Sequence, residues 1–263
     1  MIGSIIGDVA GSTYEFTCPK TTELELFPEH STFTDDTVMS IATTYSILNN
    51  EPYDKIYRIL GRKYPGKGYG SMFNYWLFSD TEPAYNSYGN GSAMRVSPVG
   101  YAYDDANKVL EEAKNSAIVS HNHEEGIKGA QATALAVLMA RKGCSKEQMR
   151  AKIAEFFKYD MDRTCDTIRP TYMFEASCQK TVPEAIIAFL DSTCFEDAIR
   201  KAISLGGDAD TLACITGGIA QAFYKVIPRD MAQKALDMLP KKFLQIIKDF
   251  NSRYKVETKY EHS

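Results

Sequence analysis

Two acidic stretches far apart in the chain, Thr34-Asp35-Asp36-Thr37 and Gly207-Asp208-Ala209-Asp210-Thr211, are each followed at once by an apolar run, Val38-Met39-Ser40-Ile41-Ala42 and Leu212-Ala213-Cys214-Ile215. Each reads as a helix start, because Thr and Asp are favoured caps and first-turn acids interact well with the positive end of the helix dipole. Capping needs one side-chain acceptor, yet each stretch stacks two acids with at least one hydroxyl. Burying both apolar runs aims both helix starts at the interior, so the fold must accommodate four carboxylates close together. Such a cluster repels itself unless hard cations hold it. With no His or Cys in either stretch the ligands are all oxygen, a set suited to Mg2+, Mn2+ or Ca2+ rather than Zn2+.

Helical periodicity runs through most of the rest. Ile2, Ile5, Ile6 and Val9 share a helical spacing with Gly3, Gly7, Ala10 and Gly11 between them, a pattern that lets a neighbour approach closely. Glycine costs about 1 kcal/mol per helix position, so this many require a packing or ligand-access reason. A loop over Pro19 to Phe33 leads to the first acidic stretch and a helix ending near Asn49-Asn50. Further helices are expected over 52–62, 72–77, 106–120, 126–141, 146–159, 183–190, 195–205, 208–225, 228–238 and 240–252. Between Tyr64 and Tyr101 the composition turns to Gly, Tyr, Phe, Asn and Ser, which reads as an ordered aromatic-rich loop apart from the piece over 72–77. Alternating strand patterns bounded by hairpin turns are hard to find. The expectation is a mainly α-helical single domain over 1–263.

A chain of 263 residues with 44% hydrophobic and 24% charged residues can bury one sizeable core. Its net charge of -4 supplies no general field for a polyanion, leaving only a local basic patch as a route to nucleic acid. The six cysteines lack a C-x-x-C pair and read as reduced thiols of a cytoplasmic protein. The start Met1-Ile2-Gly3-Ser4-Ile5-Ile6-Gly7-Asp8 has no basic n-region and is broken by Gly and Asp, unlike a signal peptide, and no apolar run reaches membrane length.

Several residues outside the acidic stretches are candidates for a ligand site. Glu15 follows the small-residue helix, and a further carboxylate beside metals can bridge to a water or steer a hydroxyl. His121 and His123 sit at a helix start, where each can either cap the helix or donate to a phosphate or hydroxyl; their spacing does not suit zinc. Gly89-Asn90-Gly91-Ser92 offers backbone N–H groups ahead of Arg95. Gly217-Gly218, inside the helix over 208–225, reads as close helix packing.

Five segments together, Ile6 to Phe16, Phe33 to Thr37, Gly89 to Arg95, Ser120 to His123 and Leu205 to Thr211, resemble the ADP-ribosylglycohydrolase family, which includes the hydrolase that reactivates ADP-ribosylated dinitrogenase reductase. They occur in the family's order and span the chain. The resemblance implies an all-α orthogonal helical bundle with two Mg2+ ions, replaceable by Mn2+, at the base of an ADP-ribose cleft. Carried over by position, Thr34, Asp35, Asp36, Asp208, Asp210 and Thr211 match metal ligands, and Glu15 matches the acid governing substrate entry or catalysis. Gly89, Gly91, Ser92 and His121 match positions that hold the distal ribose and diphosphate. Tyr69, Phe73 and Tyr88 are candidates for adenine stacking.

The implied reaction is attack of water on the anomeric carbon as the bond to the acceptor lengthens, with Glu15 or one of Asp35, Asp36 and Asp208 taking the proton. The substrate would be an ADP-ribosylated protein or small molecule, with free ADP-ribose as product. Two other readings stay open: a module that binds ADP-ribose without turnover, and a metal-dependent phosphohydrolase of nucleotides. The acceptor, whether arginine, serine, an acetyl ester or a nucleobase, has no motif of its own, although the loops over 17–31 and 160–180 are placed to form its side of the cleft.

Overall fold

A computed structural model describes residues 1–261. Its first helix, α1 (Ile2–Gly11), lines up Gly3, Gly7 and Gly11 on one face, because four residues advance slightly more than one turn. That face lies antiparallel against α13 (Ala209–Tyr224) with the two backbones in contact. A Cβ on Gly7 would sit 2.0 Å from the carbonyl oxygen of Ala213, one on Gly3 2.2 Å from that of Gly217, and one on Gly11 2.5 Å from Asp210 Cα. In the reverse direction, a Cβ on Gly217 would meet the Gly3 carbonyl oxygen at 2.1 Å, and one on Gly218 the Ser97 hydroxyl at 2.3 Å. The small residues of both helices therefore serve close packing, as their spacing suggests.

The remaining helices are α2 (Asp35–Asn49), α3 (Tyr53–Lys63), α4 (Ser71–Phe78), α5 (Gly91–Met94), α6 (Ser97–Ala102), α7 (Ala106–Ile118), α8 (Glu124–Arg141), α9 (Lys146–Phe157), α10 (Cys165–Ile168), α11 (Cys178–Asp191), α12 (Phe195–Ser204), α14 (Arg229–Asp237) and α15 (Lys241–Tyr254). The fold is all-α. The one small sheet among the described residues pairs β1 (Val226–Pro228) in parallel with β2 (Lys259–Glu261), which the sequence pattern does not announce.

Helix α13 is apolar on every side, and it is buried from Ala209 to Ala222 because α1, α8, α11 and α12 surround it. Its polar residues are satisfied inside the core: Thr216 donates to the Ala185 carbonyl at 2.8 Å, and the Gln221 side-chain oxygen accepts from the Gly3 N–H at 2.8 Å, closing the start of α1. Helix α2 packs on α1, α3, α6 and α15, so its N-terminus faces the same interior as that of α13.

Three expectations change. Residues 64–101 hold two short helices beyond the expected piece, α5 and α6; α6 tolerates Pro98 because the first-turn N–H it lacks has no intrahelical partner in any case. Helix α11 begins at Cys178 rather than Pro183, and the Gln179 carbonyl that Pro183 cannot engage belongs to a solvent-exposed residue. Helix α10 occupies part of the expected loop over 160–180. No cysteine among the described residues forms a disulfide, and no helix among them is long and apolar enough to cross a membrane.

The glycine seam makes a direct demand. Gly7→Ala should lower stability by about 3 kcal/mol, the upper range for overpacking, because the atom it meets is backbone and cannot rotate away. Gly70→Ala, with open space around it, should change stability by less than about 0.5 kcal/mol. Urea unfolding of the two variants checks this.

Candidate active site

Asp8 is a lone acid inside the apolar helix α1, and it is wholly buried. Its carboxylate accepts from the Thr34 hydroxyl at 2.6 Å, from the Thr34 N–H at 3.0 Å and from the Thr37 N–H at 3.0 Å. Asp8 thus caps α2 from a different helix, since Thr34 and Thr37 carry N–H groups that lack partners at the helix start. The Thr34 hydroxyl also accepts from the Asp36 N–H at 3.3 Å. This brace fixes where Asp35 and Asp36 stand relative to α1. Asp8 is absent from the sequence-based candidates because one acid in an apolar helix has no pattern around it. The signal available was its setting, as a charge among residues all destined for the core requires partners.

The second acidic stretch arrives through a tight turn. Gly206 and Gly207 both have φ near 77°, a region that side chains with a Cβ avoid, and the turn swings Asp208 toward Asn90. The Asn90 side-chain amide donates to Asp208 Oδ2 at 2.8 Å. Asp210 follows in the first turn of α13, and the Thr211 hydroxyl donates to Asp36 Oδ2 at 3.3 Å.

Two overlapping sets of carboxylates result. Ligand atoms of Asp8, Asp36 and Asp210 lie within 4.8 Å of one another, as do those of Glu15, Asp208 and Asp210, with Asp210 common to both. Both oxygens of Asp8 are engaged by donors at the start of α2, whereas Asp36 Oδ1 is buried without a hydrogen-bond partner among the described residues. Asp36 is therefore the acid with coordination to offer, and Asp8 the brace. Asp35 is half-buried and opens on the same cavity, with its Oδ1 3.0 Å from where a Cβ on Gly68 would lie. Burial, then repulsion among the acids, pushes Asp35, Asp36 and Asp210 well above the usual carboxylate range. Glu15 is raised to about 7 by burial and by Asp208 and Asp8. A pocket of acids strained toward protonation, with an orphaned buried oxygen, fits divalent cations.

Next to the acids the cavity, about 330 Å³, is walled by Gly89, Asn90, Gly91, Phe73, Tyr85, Arg95 and His121. The turn at Gly89 is held by a bridge to Ser177 and by the Asn90 N–H donating to the Ala176 carbonyl at 2.8 Å. His121 is buried, and burial and then Arg95 hold it well below its ordinary value, so the ring is neutral. Arg95 donates to the Ser120 hydroxyl at 3.0 Å, and that hydroxyl lies 2.8 Å from His121 Nδ1. Where that hydroxyl donates its hydrogen bond to Nδ1, the proton of the neutral ring is on Nε2 and faces the glycines. A Cβ on Gly91 would lie 3.0 Å from Nε2, so only glycine leaves that nitrogen open.

The remaining candidates divide. His123 caps α8, its Nδ1 accepting from the Glu125 N–H at 3.1 Å, while His121 alone faces the cavity. The Ser92 hydroxyl is buried and donates to the Gly126 carbonyl at 2.7 Å, so its side chain serves the packing of the glycine turn on α8. Phe73 packs between Trp76 and His121, and Tyr69 lies behind it at 6.0 Å. Tyr88 packs edge-on against His123, and Tyr85, which the sequence reading passed over, takes a place on the cavity wall.

A family model described as ADP-ribosylglycohydrolase matches residues 1–259. The ADP-ribosylhydrolase ARH3 of Homo sapiens is 28% identical over 306 residues, covering 85% of this chain and 84% of that protein. The ADP-ribosylarginine hydrolase Tri1 of Pseudomonas putida (strain GB-1) is 28% identical over 160 residues, covering 56% and 42%. Among solved structures, a chain of an ADP-ribosylglycohydrolase-related protein complex superposes with a TM-score of 0.74 at 22% identity, covering 98% of this chain and 96% of that one, which shows a shared fold.

The electrostatics predict a pH effect with a definite sign. Carboxylates whose folded pKa lies above the unfolded value stabilise the protein fully below about pH 4, and this contribution is lost as pH rises through the folded values, near 7 for Glu15. Metal-free protein should therefore unfold at falling temperature from pH 5 to 8. Added Mg2+ should reverse the trend, because binding needs deprotonated ligands, and at a hundredfold excess over Kd it should raise Tm by roughly 5–10 °C at pH 8. Scanning fluorimetry with Mg2+ or EDTA across this range reads both. Asp8→Asn, which presents an amide to donors that need an acceptor, should cost about 1–3 kcal/mol in the same assay.

Proposed function

This chain belongs to the ADP-ribosylglycohydrolase family, and from that premise we propose that it is an Mg2+-dependent ADP-ribosylhydrolase that cleaves the glycosidic bond between ADP-ribose and an acceptor on a protein or small molecule. The observation that carries this reading is the pair of carboxylate sets sharing Asp210, set beside a glycine turn and a neutral histidine in one cavity. In the relatives whose names state a reaction, that reaction is ADP-ribosyl hydrolysis.

Asp35, Asp36, Asp208 and Asp210 would hold two Mg2+ ions, with the hydroxyls of Thr34 and Thr211 beside them, and Mn2+ can substitute in an all-oxygen site. Bound, the ions would supply Lewis-acid polarisation and a fixed template for the hydroxyls of the distal ribose. The chain's own residues do the rest. The Nε2–H of His121 and the backbone N–H groups of Gly91 and Ser92 donate to the diphosphate and distal ribose. Glu15, which lines the cavity beside Asp208 and Asp210 with a pKa near neutrality, accepts a proton from the attacking water. Asn90 keeps Asp208 from turning away. Phe73 and Tyr85 line the direction that the adenosine half follows.

The test is direct. Asp36→Asn and Asp210→Asn should each lower the rate of ADP-ribose release by more than about 100-fold, beyond what loss of a supporting partner gives, while circular dichroism shows the helix content intact. EDTA should abolish release and Mg2+ restore it. His121→Ala should act mainly on KM. Release that persists undiminished in EDTA refutes the metal reading, and AMP or phosphate as product in place of ADP-ribose refutes glycosidic cleavage.

A further inference from the structure

Large apolar rings in water need a reason, and two exposed phenylalanines of this protein stack on each other beside the cavity. Phe16 is 78% exposed and Phe174 47%, yet their centroids lie 5.7 Å apart with planes only 24° from parallel. They come from distant loops. Phe16 directly follows Glu15, and Phe174 lines both the acidic cavity and an adjoining groove of about 500 Å³.

These rings are held rather than merely exposed. The Lys20 ammonium donates to the carbonyls of Tyr172 and Leu205, and the Cys18 sulfur accepts from the Gly207 N–H at 3.4 Å. Those contacts tie the loop after Phe16 both to the loop carrying Phe174 and to the turn that delivers Asp208. The two loops that carry the rings are thus tied to each other and to that turn.

A conjugate bound with its anomeric carbon at the acids sends its diphosphate toward His121 and the glycine turn, so its other substituent must leave past Glu15. We propose that Phe16 and Phe174 form the acceptor-side wall of the site, determining specificity by stacking on the planar or apolar part of the group that leaves the anomeric carbon. This rests on the reading of the site as an ADP-ribosylhydrolase. Phe174 meets the leaving group and Phe16 supports it from behind, and the adjoining groove gives the bulk of a larger acceptor a way out of the cavity.

Two conjugates of unequal acceptor test this: a 4-nitrophenyl-linked ADP-ribose, whose leaving group is flat, and an O-acetyl ester, whose leaving group offers little to stack on. Phe174→Ala should lower kcat/KM for the aryl conjugate by about tenfold, mostly through KM, and for the acetyl ester by less than about twofold. Phe16→Ala should change the two substrates in the same direction by less. The affinity for free ADP-ribose, measured by calorimetry on the same variants, should be unchanged, and their Tm should fall by no more than about 2–4 °C because Phe16 is largely in solvent and Phe174 about half so. An equal loss on both conjugates, a matching loss of ADP-ribose affinity, or no loss at all overturns the assignment. Wild-type protein that cleaves neither conjugate overturns the functional reading itself, and the acceptor wall with it.

Discussion

Three glycines let the backbone of α1 rest directly on that of α13, and the positions of Asp8, Asp36 and Asp210 follow from this contact. At separations where a single methyl group would strike a carbonyl oxygen, the two helices have one relative placement and no room to slide. Asp8 rides on α1 and reaches across to fasten the start of α2, so the seam also determines where Asp36 stands. Asp210 begins α13 beside Gly11, and Glu15 lies just beyond it. Glycine within a helix is unfavourable by about 1 kcal/mol per position, and the dispersion gained by two backbones in contact offsets that cost. The seam is thus both the centre of the core and the frame of the chemistry.

The same frame concentrates unfavourable charge. Asp8, Asp36 and Asp210 are all buried, and only Asp8 has donors enough for both oxygens. Elsewhere on the cavity wall Arg95 is fully buried, with its guanidinium 4.4 Å from the Tyr57 ring centroid and its Nε and Nη1 without hydrogen-bond partners among the described residues. A protein optimised for stability alone would place apolar groups at such positions, since an incompletely paired buried charge costs several kcal/mol. Acids short of cations and a guanidinium short of acceptors, both bordering one cavity, are what a site retains when its ligands complete the charge balance. The Arg95 charge also reaches His121 through Ser120, which links the neutral state and tautomer of that ring to a residue well behind it.

How much of this was legible in the sequence depended on whether a feature was local. The two acidic stretches announced themselves because capping does not need two acids and a hydroxyl, and the small-residue spacing of α1 and Gly217-Gly218 implied close packing without naming the partner. Asp8 was not legible as a brace, because its partners Thr34 and Thr37 are distant in sequence and nothing in α1 points to them. His121 and His123 looked equivalent for the opposite reason: two residues of separation put one on the cap and the other on the cavity, and only the position of α8 decides which. Pro183 misled because proline is common at helix starts, and a sequence does not show that the carbonyl it leaves free is in water. The short helices α5 and α6 begin in glycine- and serine-rich segments where propensity is weak and burial against α8 decides.

The acceptor side was the least legible part, and the structure explains why. Phe16 and Phe174 lie outside the regular helices, where no periodicity reports a neighbour, and what joins them is an ammonium donating to two backbone carbonyls, a contact any residue type can receive. The clustered acids, by contrast, begin helices whose placement the glycine seam has already set. This separates two requirements. Substitution along the seam disturbs fold and site together, so that region has little freedom; substitution of the rings at 16 and 174 alters the cleft mouth and leaves the backbone and side-chain ties of Cys18, Lys20 and Ala176 to the site intact. A scaffold divided in this way can change its acceptor without rebuilding its catalytic centre, because rings on loops reshape a cleft mouth that rigid helices hold open.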